Sequence, residues 1–431
     1  MTIIVERSEV DTRTPLILVA GRGGTATRDA GAAQVAHGFI RAGTIVVHHD
    51  LAHVGDGIVH RTVTTPGDRR HEALELAHAC VSCTLREDLL PLLRRLHRRS
   101  DVDRIVLHLD PQLEPEALCW AIEHVVVADV VGQIDGPASR DVRIEGVVTC
   151  VDAASWMTDA TGDEDIATTP DDERTVAQVV VGQVEFADAL VVRPGADGWA
   201  QARLHAVLAR LAPDAPIVWS NSPDVEALLR RIPAGARRGE ISDAHSPLLR
   251  GQPPLDEDCG IRLLEFGAQR PFHPQRLHEA IDVLLDGVVR TRGRAWVATQ
   301  PDTALIIESA GCGLRVAHGG PWLASMTPEQ QQRVSDGRRA MAALRWSDTY
   351  GDRDSSLVVL IHDADPDTVL GALRDALLTD DEFVHPELWP TWDDPFGHYH
   401  QDPCADMPTD GTRGEQAAER TESSFEKRGH A

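Results

Sequence analysis

The sequence predicts an α/β fold, a mostly parallel sheet with helices on both faces, followed by a smaller α+β unit. Three observations carry this reading. Strand-length apolar runs recur through the first half with helical patterns between them. A Gly-, Pro- and charge-rich stretch then breaks the pattern at 233–260. Beyond it, strands and helices resume in a different order. Near-continuous apolar strands joined by helices belong to a parallel sheet covered on both sides.

The apolar runs of the first unit, 1–232, are 16–20 (LILVA), 44–47 (TIVV), 105–107 (IVL), 147–151 (VVTCV), 190–192 (LVV) and 216–219 (PIVW). Helical spacing is clearest at 85–96, where Leu89, Leu92, Leu93 and Leu96 fall on one stripe. It recurs at 173–186 and 199–211. The stretch 233–260 reads as a linker. The second unit, 261–396, is expected to hold helices at 274–285 and 366–377 and strands near 294–298, 305–309 and 357–362. The tail, 397–431, is polar with few apolar side chains and reads as disordered.

Composition narrows the function. Of 431 residues, 42% are hydrophobic, enough for a sizeable core. No run approaches the roughly 18 apolar residues of a membrane span, and no secretory leader is visible, so a cytoplasmic protein away from membranes is expected. Net charge is −26, which argues against DNA and leaves RNA contact to a local basic patch. The seven cysteines are too few and too unevenly spaced for a disulfide framework. A single lysine, Lys427, lies near the C-terminus, so every mechanism needing a lysine in the body of the chain is excluded.

The first strand runs into AGRGGTATRDAG. Glycines between a strand and a helix are where backbone amides cradle phosphate. Gly21, Gly23, Gly24, Thr25 and Thr27 are the candidate nucleotide-binding residues. The full phosphate pattern, aligned on Gly21 and Gly24, requires a third glycine, a lysine and a Ser or Thr; Ala26, Thr27 and Arg28 stand there instead. Thr27 cannot place a positive charge between phosphates. A tight turn without ligand, weak nucleotide binding and hydrolysis all stay open, the first favoured by the missing charge.

ELAHACVSCTLREDLLP is the sharpest motif. Cys80 and Cys83 are spaced C-x-x-C at the start of a helix, whose N-terminus favours thiolates, and two thiolates at this spacing can grip one zinc ion. Two buried structural thiols, or a redox pair, are the alternatives. His78 is near in sequence. His48, His49 and Asp50 end one strand and His108 another, and in a parallel sheet such ends face one crevice, so these are candidate further ligands. A tail cluster, His398, His400 and Cys404 after Asp394, is a weaker metal candidate. The helix after the cysteines carries Arg86, Arg94, Arg95, Arg98 and Arg99. It is either a solvated face or a contact surface for RNA or an acidic partner.

Together these segments resemble the CobW family, a branch of the SIMIBI P-loop GTPases tied to metal delivery. The likeness spans about 14–396. VVTCVDAASW resembles the family strand ending in Asp, here Asp152; VVGQVEFADALVV resembles its Gln-x-Glu-x-Ala-Asp segment, here Gln183, Glu185, Ala187 and Asp188. RPFHPQRLHEAI, RGRAWVATQPD, AGCGLRVAHGGPW and LLTDDEF resemble its C-terminal domain. The family's Cys-x-Cys-Cys zinc motif has Ser82 at its middle cysteine. The guanine-reading Asn-Lys-x-Asp is replaced by Arg193, Pro194, Gly195, Ala196 and Asp197; the second-strand Asn-Glu by His49 and Asp50; the Walker-B-region Glu and Gly by His108 and Pro111. Phosphate loop, base reader and switch have changed together, so the resemblance implies a degenerate G domain kept as a scaffold, with little or no GTP hydrolysis and zinc as cofactor.

The strings HHD, CVSCTLREDLLPLL and HLDPxLEP further resemble an actinobacterial subgroup that recruits a ribosome hibernation-promoting factor to ribosomes under zinc limitation. That resemblance implies the hibernation factor or the small ribosomal subunit as partner, through Arg94, Arg95, Arg98 and Arg99 or a protein surface. The wider family implies the alternative, a GTP-dependent zinc metallochaperone.

Overall fold

Eight strands form the first sheet: β1 (Thr14–Arg22), β2 (Thr44–Asp50), β3 (Ile58–Thr65), β4 (Asp68–Glu75), β5 (Arg104–His108), β6 (Val142–Asp152), β7 (Ala189–Arg193) and β8 (Ile217–Trp219), in the order β4-β3-β2-β5-β1-β6-β7-β8. This is a computed structural model, which describes residues 11–23, 28–76, 81–166 and 172–397, apart from the side chains of Ser82 and Cys83. From β2 to β8 every pairing is parallel; β3 and β4 add an antiparallel hairpin at one edge.

Both faces of the parallel strands are covered, which is why their sequences are continuously apolar. On β1, Leu16, Leu18 and Ala20 face one way, against Leu89, Leu93 and Leu96 of the helix after the C-x-x-C motif. Ile17 and Val19 face the other, against Val35 and Ala36 of the helix Ala32–Gly38 and Leu228 of the helix Val225–Arg231. The β3–β4 hairpin escaped the sequence reading because β4 is almost wholly exposed and carries no apolar alternation.

The helix 81–97 departs from the regular pattern. It opens as an α-turn, widens to a π-turn over Leu85–Leu89, and continues as α-helix over Leu90–His97. Pro91 supplies no amide to the preceding turn and its ring crowds the carbonyl four residues back, so the widened turn relieves a clash that a uniform α-helix would incur.

The second sheet is antiparallel throughout: β9 (Arg262–Ala268), β10 (Val288–Trp296), β11 (Thr303–Ala310), β12 (Gly313–Pro321) and β13 (Ser355–Ile361), ordered β12-β11-β10-β13-β9. Helices Pro274–Val283 and Pro366–Asp375 cover one face through Leu277, Ile281, Val369 and Leu373. Both sheets lie in one compact unit. A shared apolar cluster joins Val176, Ala177 and Val180 to Ile261, Val289 and Ala310.

The stretch 233–260, expected as a linker, is packed rather than free. The Arg238 amide donates to Asp188 Oδ1 at 3.0 Å, and the Ser246 carbonyl accepts from Arg294 at 2.8 Å. No helix among the described residues is long and apolar enough to cross a membrane.

Candidate functional site

The ends of β2 and β5 supply the histidines. His48 and His108 are register partners in the parallel ladder, and their rings stack at 4.2 Å between centroids. His48 Nδ1 lies 2.9 Å from the His108 carbonyl. Burial, then the neighbouring His108, push the His48 pKa below its usual value, so its ring is neutral near pH 7. Strand alternation sets His49 on the opposite face. There its Nε2 meets Asp88 Oδ2 at 2.7 Å, and both groups are buried. Asp88 sits in the π-turn and also accepts from Arg61 of β3, which reaches on to Glu72 of β4. Burial would raise the Asp88 pKa, but the bonds and charges of His49 and Arg61 outweigh it and hold the carboxyl below its ordinary value.

The structure therefore splits the expected ligand set. His49 lines a cavity with Val81, Thr84 and Leu85, and His108 and Asp110 also contribute to its wall. Val81 and Thr84 are the neighbours of Cys80 and Cys83 in sequence. Asp50 shares the His48 face and accepts the Ala52 amide at 2.9 Å in a local turn. His108 also projects from that other face, its Nε2 buried, 3.4 Å from Asp29 and without a hydrogen-bond partner. Asp50 thus points away from His49, its neighbour on the strand, while His108 shares the cavity wall with His49 but turns its Nε2 to Asp29 rather than to Asp88. His78, Cys80 and the tail residues His398, His400 and Cys404 lie outside the described residues, as does the Cys83 side chain. Among the described residues no three His, Cys, Asp or Glu groups cluster as a metal site.

Zinc fits the His49 side in one respect. A ligating imidazole normally gives its second nitrogen to a carboxylate that fixes ring and tautomer, and Asp88 is placed to do this for His49. Sequence reasoning missed Asp88, though an acid between Leu85 and Leu89 on an otherwise apolar stripe was a visible signal.

At the phosphate position, Gly24, Thr25 and Thr27 lie outside the described residues. Gly21 is a packing requirement: a Cβ there would stand 2.7 Å from the Cys150 carbonyl oxygen. The Gly23 amide donates to the Arg28 carbonyl at 3.0 Å, closing the loop on itself. The Asp29 carboxylate accepts from the amides of Gly31 at 3.1 Å and Ala33 at 2.7 Å, engaging amides at the start of the following helix. Burial opposes its charge, but His108 and those amides hold Asp29 well below the usual carboxylate range. A fixed carboxylate thus sits on the first amides of the helix Ala32–Gly38.

The other motif residues serve as braces. Asp197 caps the helix Gly198–Leu211 through the Trp199 amide at 2.9 Å. Gln183 donates to the Leu113 carbonyl at 2.9 Å, Glu185 meets Arg290 of the second sheet at 2.9 Å, and Asp188 Oδ2 accepts the Val147 amide at 2.9 Å. Asp110 ties the ends of β2 and β5 by accepting from the amides of Leu51 and Gln112, each at 3.0 Å. Cys119 and Cys150 are buried thiols whose pKa burial pushes far up, which leaves them unreactive.

The basic face loses one of its expected members. Arg94 is only 3% exposed and bonds Asp141 at 2.7 Å and the carbonyls of Val127, Gly136 and Ile134. It pins the loop 127–141 and is not available to a partner. Arg86, Arg95, Arg98 and Arg99 remain exposed; Arg98 bonds the Gly132 carbonyl and Arg99 pairs with Asp101 at 2.6 Å.

Comparison with known proteins completes the site description. Residues 46–218 match the CobW/HypB/UreG nucleotide-binding domain and residues 261–377 the cobalamin synthesis protein cobW C-terminal domain. A zinc chaperone of Mycobacterium tuberculosis is 48% identical over 414 residues, covering 95% of this chain and 98% of its own. An uncharacterized protein of Mycobacterium bovis matches to the same extent. The zinc-regulated GTPase metalloprotein activator 1 of Dictyostelium discoideum is 25% identical over 352 residues, covering 78% of this chain and 72% of its own. With two domain matches in order and near full-length similarity at this identity, the chain belongs to the CobW family, as a G-domain-like sheet joined to a CobW C-terminal domain.

Proposed function

We propose that this protein handles zinc through Cys80, Cys83 and His49, and acts as an adaptor rather than as an efficient GTPase. The observation that carries the reading is the cavity in which His49, backed by Asp88, sits beside the residues that neighbour both cysteines. The names of its mycobacterial and slime-mould relatives support zinc as the metal. His78 is the further candidate ligand.

Zinc held here would take two thiolates and a neutral imidazole, and it would act as cargo or as a structural lock without redox change. The protein's own part is derivable. Asp88 fixes the His49 ring through Nε2 and leaves Nδ1 as the free nitrogen. Arg61 keeps Asp88 ionised. Both cysteines must shed protons, so affinity rises with pH until they are deprotonated. Because Asp88 lies in the π-turn and bonds Arg61 on β3, zinc binding at the helix start is linked to the hairpin at the sheet edge.

We infer further that the zinc state governs recruitment of a ribosome hibernation-promoting factor, or docking on the small ribosomal subunit, through the exposed Arg86, Arg95, Arg98 and Arg99. The missing lysine and base reader, and the Asp29 carboxylate on the first amides of the helix after the loop, support an adaptor. Calorimetric titration of the purified chain with GTP, with and without zinc, tests this. The expected result is no binding at millimolar nucleotide. Tight binding with turnover would instead support a GTP-dependent zinc metallochaperone, a reading in keeping with the slime-mould relative, a zinc-regulated GTPase metalloprotein activator. Affinity capture from zinc-starved cells is expected to recover the hibernation factor or small-subunit proteins; recovery of neither would refute the recruitment reading.

A further inference from the structure

β10 presents three arginines on one face. Arg290 meets Glu185 at 2.9 Å and Glu308 at 3.4 Å, and Arg292 meets Glu308 at 3.3 Å. Arg294 is 1% exposed, and among the described residues no carboxylate lies within 4.0 Å of it. Its Nη1 donates to the carbonyls of Ser246 at 2.8 Å and Ala244 at 3.4 Å, while Nη2 is buried without a partner. Arg294 lines a cavity of ≈ 20 Å³ with His245, Trp322, Arg338, Arg345 and Asp354. Trp322 is also 1% exposed, with its indole N–H unpartnered, and Arg338 Nε is a third buried donor without an acceptor.

Three of the four carboxylate oxygens at this cavity are already engaged. Both Asp352 oxygens take amides, those of Leu323 at 3.0 Å and Ala324 at 2.9 Å. Asp354 Oδ2 holds Arg345 at 3.3 Å and the Ser356 hydroxyl. His245 Nε2 lies 3.0 Å from both Arg338 Nη2 and the Gly319 carbonyl. Burial, then Arg338, lower the His245 pKa below its usual value, and Arg338 Nη2 also donates to the Pro321 carbonyl at 2.6 Å. Burial pushes the Arg294 guanidinium down to about 10. The Asp354 charge on the cavity wall offsets part of this from beyond 4.0 Å, but a buried cation without a contacting counter-ion is still costly, and donors without acceptors add to the cost. An anion removes both costs at once, through charge-assisted bonds.

We propose that this cavity in the C-terminal sheet is a binding site for a small oxyanion, a phosphoryl, sulfate or carboxylate group, held by Arg294, Arg338 and the Trp322 indole. The cavity admits about one oxygen atom. Arg338 and Arg345 are only half-buried, so the rest of the group can extend past them. The site shares no residue with the His49 cavity and does not depend on the zinc reading.

The test is calorimetric titration of the full chain with sodium phosphate, sulfate or acetate at constant ionic strength, with chloride as control. Saturable one-to-one binding of at least one oxyanion is expected, weakened at least tenfold in Arg294→Met and in Arg338→Gln. Preference for phosphate or sulfate would assign a phosphoryl-type ligand, and preference for acetate a carboxylate. No saturable binding, a chloride response equal to that of the oxyanions, or full binding by both variants would overturn the proposal. Should Arg294→Met not fold, Arg338→Gln, on the surface helix Asp336–Arg345, decides alone.

Discussion

The two sites treat a guanidinium in opposite ways. On the parallel sheet, Arg61 meets Asp88 and Glu72, and Asp88 in turn meets His49, so each charge is answered within the chain. On the antiparallel sheet, Arg294 has only carbonyl partners and one unused N–H group. The difference teaches what each place is built to accept. A site whose charges are already balanced orients its histidine for a cation that brings its own ligand bonds. A site with surplus donors is incomplete until an acceptor arrives.

The sharpest way to break this comparison is to remove each arginine. Arg61→Met strands Asp88 in the π-turn and is expected to lower unfolding stability by about 3 kcal/mol, read from the urea midpoint. An effect below about 1 kcal/mol would show the network to be ornamental. Gly21→Ala probes the crevice floor, where the new methyl meets backbone rather than a yielding side chain; about 2 kcal/mol of destabilisation is expected by the same measurement.

A paired charge in the second unit serves as control. Glu382 accepts two bonds from Arg276, at 2.7 and 2.9 Å, which lower its pKa from 4.5 to about 2. Because the folded pKa is depressed, this stabilisation is complete above pH 4.5 and is lost as pH falls towards about 2. Glu382→Gln should remove about 1 kcal/mol of that acid-dependent slope, allowing for solvent screening of a half-buried pair, and an unchanged stability–pH curve would show the pair to be idle. The smallest effect is expected for Arg294→Met without added oxyanion, within about 1 kcal/mol of the parent, since an uncompensated buried charge is lost with its bonds. A loss as large as that of Arg61→Met would mean the two sites are alike.

Much of the fold was legible because the parallel strands are apolar on both faces and their runs stand out one by one. The β3–β4 hairpin was not, since an exposed edge strand such as DRRHEALE carries no burial pattern. The packed state of 233–260 was hidden for a related reason: its anchors, the Arg238 amide and the Ser246 carbonyl, are backbone groups that composition does not reveal. In the site, sequence named His49 and the cysteines but also grouped Asp50 and His108 with them. Strand alternation turns Asp50 away, and His108, though on the same cavity wall as His49, is held by Asp29 rather than Asp88. Arg94 was misread because a helical arginine stripe gives no sign that one member will be claimed by carbonyls of a later loop.

The central claim is tested most directly by metal analysis of purified chain loaded with zinc and dialysed. One zinc per chain is predicted for the parent, loss of that zinc in the Cys80→Ser, Cys83→Ser double variant, and at least tenfold weaker binding in His49→Ala with His108→Ala unaffected. Full zinc retention by the double variant, or a loss in His108→Ala equal to that in His49→Ala, would contradict the account.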